Sequence, residues 1–279
     1  MRKIKKVRVT VPYFFKEKLL EDEVYFGLSI GEIGNRIFTY YSDKDIENNE
    51  IKIFKGEIIQ FNLNKSNDDL YYTILKEHNV ENEAEFFRNL FFKYLDNPRY
   101  LREKILFSNI ISNINLAIEK KKKINIKYNG EIRTINPYLL KVSSNEDRTY
   151  IFSFCEKNNE YRNYKIANIE NVFISKNDLE IKDSEYISNI DKNFDPFLSY
   201  NKYVVIKITP EGEKLFNTAI INRPKVYKKE GNTWTLECTK RLAKIYFPQF
   251  LSNIEILEPL DLREWFIQKF KKAYENYGE

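Results

Sequence analysis

Lys6-Val7-Arg8-Val9-Thr10-Val11 alternates with a period of two. The valines would face a core while Lys6, Arg8 and Thr10 face outward, as in a half-buried strand. Pro12 ends the run. A helical pattern follows, with Phe14, Leu19, Leu20, Val24 and Phe26 mostly on one side. Gly27 stops it. Ser29 then stands three residues before Glu32, a capping-box spacing that opens a second helix carrying Ile33, Ile37 and Phe38. The pattern returns about fifty residues later. Ile59, Phe61 and Leu63 alternate with Ile58, Gln60 and Asn62. Residues 68–77 read as a helix bearing Leu70, Tyr71, Ile74 and Leu75, and Asn82 precedes Glu85 by three, ahead of Phe86, Phe87, Leu90 and Phe91.

Strand, helix and capped helix in about forty residues resembles the ribbon-helix-helix layout, here in tandem over residues 1–95. The resemblance implies that the two strands pair antiparallel and lie in the DNA major groove, and that two copies in one chain pair with each other. Lys6, Arg8 and Thr10 would then read bases, and the amides near Ser29 would clamp a phosphate. On the second strand Gln60 and Asn62 are of types that pair with adenine edges, beside apolar Ile58. Such an asymmetric face suits a non-palindromic target or a copy that no longer reads bases. An unliganded half-exposed ribbon shows the same alternation.

Residues 99–123 read as one long linking helix (96–123 with its lead-in), with Leu101, Ile105, Ile114, Leu116 and Ile118 as apolar positions and the lysine run at 120–123 at its C-terminal end. Strand candidates follow at 124–128, 132–136, 137–140, 149–155 and 161–166, then 172–174 after a short turn. The first leads into Asn129-Gly130, a strong hairpin signal. This spacing predicts a small bent barrel over 124–183.

Tyr128, Pro137-Tyr138-Leu139, Thr149-Tyr150-Ile151 and the run Arg162-Asn163-Tyr164-Lys165-Ile166-Ala167-Asn168-Ile169 carry a second resemblance, to the WYL domain. Of the family's name-giving Trp-Tyr-Leu only the central Tyr150 is kept. Of its arginine-rich tail the first Arg is Arg162, the second is Lys165, and two further polar positions are Ala167 and Asn168. The resemblance implies an SH3- or Sm-like barrel and a groove in which Tyr150, Arg162, Tyr164 and Lys165 hold an anionic ligand, a nucleotide or single-stranded nucleic acid. The chemistry suits the residue types: Arg forks onto phosphate and a Tyr face stacks on a base. The same residues could instead pack the barrel.

Residues 184–201 read as a polar linker. Residues 202–279 predict strand-helix-strand-strand-helix-strand and a terminal helix, a ferredoxin-like order. The stretch Ile254-Glu255-Ile256-Leu257-Glu258-Pro259-Leu260-Asp261-Leu262-Arg263 resembles the WCX extension that follows many WYL domains, which implies a homodimer. Arg223, Lys225, Lys228, Lys229, Lys240, Arg241 and Lys244 could form a second basic surface or be scattered solvated cations. The fold class expected is α+β and multidomain.

Composition narrows the function. With 42% apolar and 31% charged residues in 279, the chain is globular, and a net charge of +5 requires any nucleic-acid contact to come from local clustering. Cys155 and Cys238 are too few and too far apart for a structural zinc site or a disulfide framework, and read as buried apolar residues. His78 is the only histidine and reads as a helix-end residue. No phosphate-cradling glycine loop, HExxH or GxSxG occurs. The basic start Met1-Arg2-Lys3-Ile4-Lys5-Lys6 lacks a signal peptide's apolar stretch, and no segment has the ~20 apolar residues of a membrane span, so a cytoplasmic protein without membrane contact is expected. The reading is a non-enzymatic nucleic-acid-binding regulator without a cofactor or metal. The first reading is a ligand-responsive DNA-binding transcription factor; the alternative is an RNA-binding accessory protein that modulates a CRISPR effector nuclease, whose architecture it resembles. A protein-interaction scaffold is the third possibility.

Overall fold

The computed structural model describes residues 4–45, 51–143 and 147–278. Met1, Arg2 and Lys3 of the basic start lie outside the described residues. The described residues build three antiparallel sheets with helices packed on each.

The head holds β1 (Lys6–Pro12), α1 (Tyr13–Phe26), α2 (Ile30–Tyr41), β2 (Gly56–Asn62), α3 (Lys65–Glu77) and α4 (Glu83–Leu95). β1 and β2 pair antiparallel, with Lys6 opposite Asn62, Arg8 opposite Gln60 and Thr10 opposite Ile58. Val7, Val9, Val11, Ile59 and Phe61 point inward and are buried. Gly27 closes α1 in the left-handed region (φ 67°), and Ser29 and Glu32 form the full capping box. Asn64 and Asn82 cap α3 and α4 with their side chains. Gly34 lets α2 lie directly on the ribbon, because a Cβ there would sit 2.6 Å from the Phe61 ring.

The inward face of α1 differs from the expected one. Phe15, Leu19, Asp22 and Phe26 are buried, whereas Phe14, Leu20 and Val24 are exposed. The helix begins immediately after Pro12, which sets the phase 15-19-22-26 and turns Phe14 out. Leu70 on α3 is likewise exposed while Tyr71 and Ile74 are buried.

The expected linking helix is two helices, α5 (Arg99–Leu106) and α6 (Ser108–Glu119). Phe107 breaks them with φ −111° and ψ 26° because its ring is drawn into the core against Phe26, 6.1 Å away. Of the lysine run only Lys120 closes a helix, as the C-cap of α6. Lys121 adopts φ 51°, and Lys122 and Lys123 already belong to the next strand.

The middle sheet comprises β3 (Lys122–Tyr128), β4 (Glu131–Ser143), β5 (Arg148–Cys155), β6 (Glu160–Lys165) and β7 (Ile169–Asp178), in the order β6-β5-β4-β3-β7. β4 is one strand, bulged between Pro137 and Leu139, where two were expected. One face of the sheet, with Ile124, Ile126, Ile135, Ile151 and Tyr164, joins the head in a single apolar cluster running from Val7 to Ile169. The opposite face, with Tyr138, Phe152 and Phe154, is covered by α7 (Ser184–Lys192) and by Leu198. The segment expected as a linker is therefore a packed layer; Ile190 and Leu198 supply the burial that its polar composition conceals.

The C-terminal unit runs β8 (Tyr203–Ile208), α8 (Pro210–Thr218), β9 (Lys225–Glu230), β10 (Thr233–Glu237), α9 (Lys240–Tyr246), β11 (Ile254–Glu258) and α10 (Leu260–Tyr277), with strand order β11-β8-β10-β9. Its own core gathers Val204, Ile206, Trp234, Leu236, Phe247 and Phe250. Cys155 and Cys238 are both buried thiols. No described helix is long and apolar enough to cross a membrane.

The unusual inward residue on α1, Asp22, is fully buried and meets Arg102 of α5 twice, Nε to Oδ2 and a terminal nitrogen to Oδ1, both at 2.8 Å. The Tyr94 hydroxyl donates to the same carboxylate at 2.7 Å. Losing one partner would strand a charge in the core. Asp22→Ala is expected to cost ~3–5 kcal/mol in urea unfolding, and Asp22→Leu with Arg102→Met distinctly less. Equal losses in the two variants would contradict this account.

Candidate nucleic-acid interface

The antiparallel register sets Lys6, Arg8 and Thr10 beside Asn62, Gln60 and Ile58 on one exposed face. All six sequence-derived ribbon positions thus share one surface. Among the described residues neither Lys6 nor Arg8 has an ion-pair partner, whereas neighbouring Lys5 is held by Glu83 at 2.6 Å and Lys16 by Glu57 at 3.0 Å. Arg88 of α4 reaches the Thr10 carbonyl at 3.4 Å. Each strand is seven residues long, about 23 Å at ~3.3 Å per residue, and a two-stranded ribbon fits a B-DNA major groove ~12 Å wide.

The expected phosphate clamp is occupied. The Ser29 amide and hydroxyl donate to Glu32 Oε2 at 2.9 and 2.8 Å, and the Ile30 amide lies 3.3 Å from Glu23 Oε1. The Glu32 amide donates back to Ser29 Oγ at 3.2 Å. The Ser29 amide, more than its hydroxyl, holds the Glu32 carboxyl below its ordinary range. In the second half Asn82 Oδ1 accepts from the Ala84 and Glu85 amides at 3.1 and 3.3 Å. A phosphate arriving at either helix start would meet a carboxylate or a used amide. The capping-box motif was visible in the sequence, and its consequence is that the cap excludes the clamp.

At the other end of the ribbon the Tyr13 amide donates to the Lys55 carbonyl at 3.0 Å. Phe14 is 58% exposed and Phe54 97%, two aromatic side chains absent from the sequence-derived site.

The ligand residues expected on the middle sheet do not form one groove. β5 and β6 pair Tyr150 with Lys165 and Ile151 with Tyr164. Tyr150 and Lys165 therefore lie on the α7 side, and Arg162 and Tyr164 on the core side, because adjacent strand residues point to opposite faces. Tyr164 is buried edge-on against Tyr128, with ring centres 4.8 Å apart, and burial pushes its phenol pKa up. It has no open face for a base. Arg162 is paired with Glu160, Nε to Oε1 at 2.6 Å. Tyr150 is buried beside Phe194, with Lys165 Nζ 5.9 Å from its ring. The C-terminal cations are also dispersed: Lys228 pairs with Glu230, Lys229 with Glu213, Lys240 with Asp261. His78 is the C-cap of α3, its Nε2 3.0 Å from the Ser42 carbonyl.

A junction that sequence reasoning missed ties the head to β5. Glu103 of α5 is buried and accepts from the Thr149 amide at 2.5 Å. The adjacent Arg148 donates to the Tyr25 carbonyl at 2.9 Å, its guanidinium 3.9 Å from the Tyr25 ring. These pairs join residues far apart in sequence, so no local spacing announces them. Burial pushes the Glu103 carboxyl pKa up, with the Thr149 amide opposing it.

Comparison with known proteins places this geometry. Residues 109–174, from α6 into β7, match the family model of the WYL domain, so the chain carries that domain at its centre. A solved CRISPR Cas-related protein shares the fold over 100% of this chain and 96% of its own, with TM-score 0.69 and 12% identity. Proteasome accessory factor B/C (PafBC) of Arthrobacter aurescens aligns over 79% of this chain and 37% of its own at TM-score 0.33 and 12% identity. No curated protein matches the chain.

Burial raises the folded pKa of Glu103 above its unfolded value of ~4.3, so its folded form binds the proton more tightly. This contribution to stability is fully present below the unfolded pKa and is lost as pH rises through the raised one. Glu103→Gln keeps an oxygen for the Thr149 amide and should flatten that decline, leaving stability at pH 7 equal or higher. Glu103→Leu, which orphans a buried amide, should cost about 1–3 kcal/mol. Urea titrations across pH check both, and a Gln variant as damaged as the Leu variant would refute the assignment.

Proposed function

With a WYL domain at the centre of the chain, we propose a non-enzymatic regulatory protein that binds nucleic acid through the outward face of β1 and β2. We read the head as a tandem ribbon-helix-helix unit whose two halves pair within one chain. The middle sheet is then the SH3- or Sm-like barrel, and the C-terminal unit a ferredoxin-like WCX extension that supports a homodimer. The observation that carries the proposal is the shared exposed face on which Lys6 and Arg8 stand, without ion-pair partners among the described residues, beside Gln60 and Asn62.

The partner we favour is single-stranded RNA, in an accessory protein that modulates a CRISPR effector nuclease. The occupied helix starts support this choice. Protein–duplex recognition places half or more of its hydrogen bonds on phosphate and sugar, and the two helix starts offer carboxylates there. A single strand needs a short cationic track and aromatic faces for its bases, and Phe14 and Phe54 stand exposed at the ribbon's end. A solved protein that shares the fold along its whole length is described as CRISPR Cas-related, which supports this choice. The second reading, a ligand-responsive DNA-binding transcription regulator, is favoured by the fit of a basic two-stranded ribbon to the DNA major groove, since the deep, narrow RNA major groove excludes one.

A gel-shift competition at fixed salt between duplex DNA and single-stranded RNA of equal length separates the readings. Lys6→Ala/Arg8→Ala should abolish most binding of the preferred nucleic acid and reduce the salt slope by about 0.7 per lost single-strand phosphate contact. Phe54→Ala should weaken RNA retention only. If duplex DNA is preferred, and Glu23→Gln/Glu32→Gln strengthens it further, the transcription-factor reading replaces the RNA one. Retention of both nucleic acids by the double alanine variant would remove the ribbon from the interface.

A further inference from the structure

α10 runs on past the unit it belongs to. Leu262 and Phe266 enter the core of the C-terminal unit, but from Ile267 to Tyr277 every residue is exposed. That stretch is about three turns, ~16 Å of helix at 1.5 Å per residue. A helix so short is marginal in water unless one face is packed.

The sequence of α10 supplies a second face. Leu260, Ile267 and Tyr274 recur every seven residues, and Arg263, Phe270 and Tyr277 stand three after each. This is the spacing of a seam between two paired helices. Its five apolar members are all exposed. Its one charged member, Arg263, is held by Glu255 at 2.6 Å and donates to the Ile256 carbonyl at 3.3 Å. Ile267 and Phe270 also border a groove of about 260 Å³, lined on its other side by Ile254 and Ile256 of the edge strand β11. Because Arg263 covers a carbonyl of that edge, the groove suits side chains of a helix better than a further strand.

Charge selects the occupant and its direction. Glu264 and Lys271 flank the seam, both exposed and neither ion-paired among the described residues, whereas Asp261 is held by Lys240 at 2.5 Å. Consider two copies of α10 laid antiparallel about a two-fold axis, with Ile267 of each facing Phe270 of the other. Leu260 then meets Tyr277, Arg263 meets the face of Tyr274, and each Glu264 stands beside Lys271 of the second copy. The helices overlap along their whole length. A parallel pair would instead set Lys271 against Phe266 and give Glu264 no cation.

We infer that the partner of this face is a second copy of the chain, docked by antiparallel pairing of the two α10 helices along this seam. The inference rests on the proposed homodimer and gives it an interface. Tyr274 of one copy comes to the groove of the other, and the exposed turns of each helix gain the packing they lack.

Sedimentation velocity of the full chain over a concentration series tests it and should show a reversible dimer. Ile267→Glu/Tyr274→Glu removes two exposed apolar side chains from each copy and should raise the dimer Kd about hundredfold or more. Gln268→Ala/Lys272→Ala, away from the seam on the same helix, should leave it within about twofold. Glu264→Lys sets like charges together twice per dimer and should weaken pairing roughly tenfold, while Glu264→Lys/Lys271→Glu should restore it. A monomer at every concentration would remove both the homodimer and this interface. A dimer as tight in Ile267→Glu/Tyr274→Glu as in the wild type would keep the homodimer and overturn the seam. Failure of Lys271→Glu to rescue Glu264→Lys would overturn the antiparallel pairing.

Discussion

A strand followed by two helices cannot satisfy its own backbone, and pairing β1 with β2 meets that constraint inside a single chain. Once Arg8 stands opposite Gln60, the parity of both strands is settled. The valines of β1 and Ile59 and Phe61 of β2 must enter the core, and Lys6, Arg8, Thr10, Ile58, Gln60 and Asn62 must share the outer face. A slip of one residue would place the cations of β1, or the amides of β2, in the core and apolar side chains in water. Gly34 then admits α2 against Phe61, and the buried asparagines reinforce the same register, Asn35 donating to the Asn62 carbonyl at 3.0 Å and accepting from the Asn64 amide at 2.7 Å.

Electrostatics divides the head into free and engaged charge. Lys5, Lys16, Glu32 and Glu83 hold partners that fasten ribbon to helices or close a helix start. Lys6 and Arg8 have none among the described residues, and both side chains are exposed to solvent. The cap that stabilises α2 is also what removes its amides from anion binding, since a helix N-terminus can satisfy a carboxylate of its own or a phosphate from outside, but not both with the same N–H groups.

The middle sheet shows why neighbouring residues in a motif need not form a site. Arg162, Tyr164 and Lys165 look like one cluster along the chain, but a pleated strand sends Lys165 to the opposite face from the other two. The head's core claims the face with Tyr164, and α7 with Phe194 claims the face with Tyr150. Two faces of one sheet thereby connect the head on one side with the α7 layer on the other.

What the sequence by itself determined was local. Period-two alternation at residues 6–11 and 58–63, the cap at Ser29, the Asn129-Gly130 turn and the alternation of strands and helices after residue 202 could all be read, because each depends on neighbours a few residues apart. Only the tertiary structure decided the phase of α1, where Pro12 sets the helix start and puts Asp22 rather than a hydrophobe inside, opposite an Arg102 that no spacing links to it. It also decided that Phe107 splits the linking helix, that 184–201 is a packed layer, and that Glu103 reaches Thr149. In each case the deciding energy is burial or a buried polar contact between residues far apart in the chain, and that information is not carried by any window of the sequence.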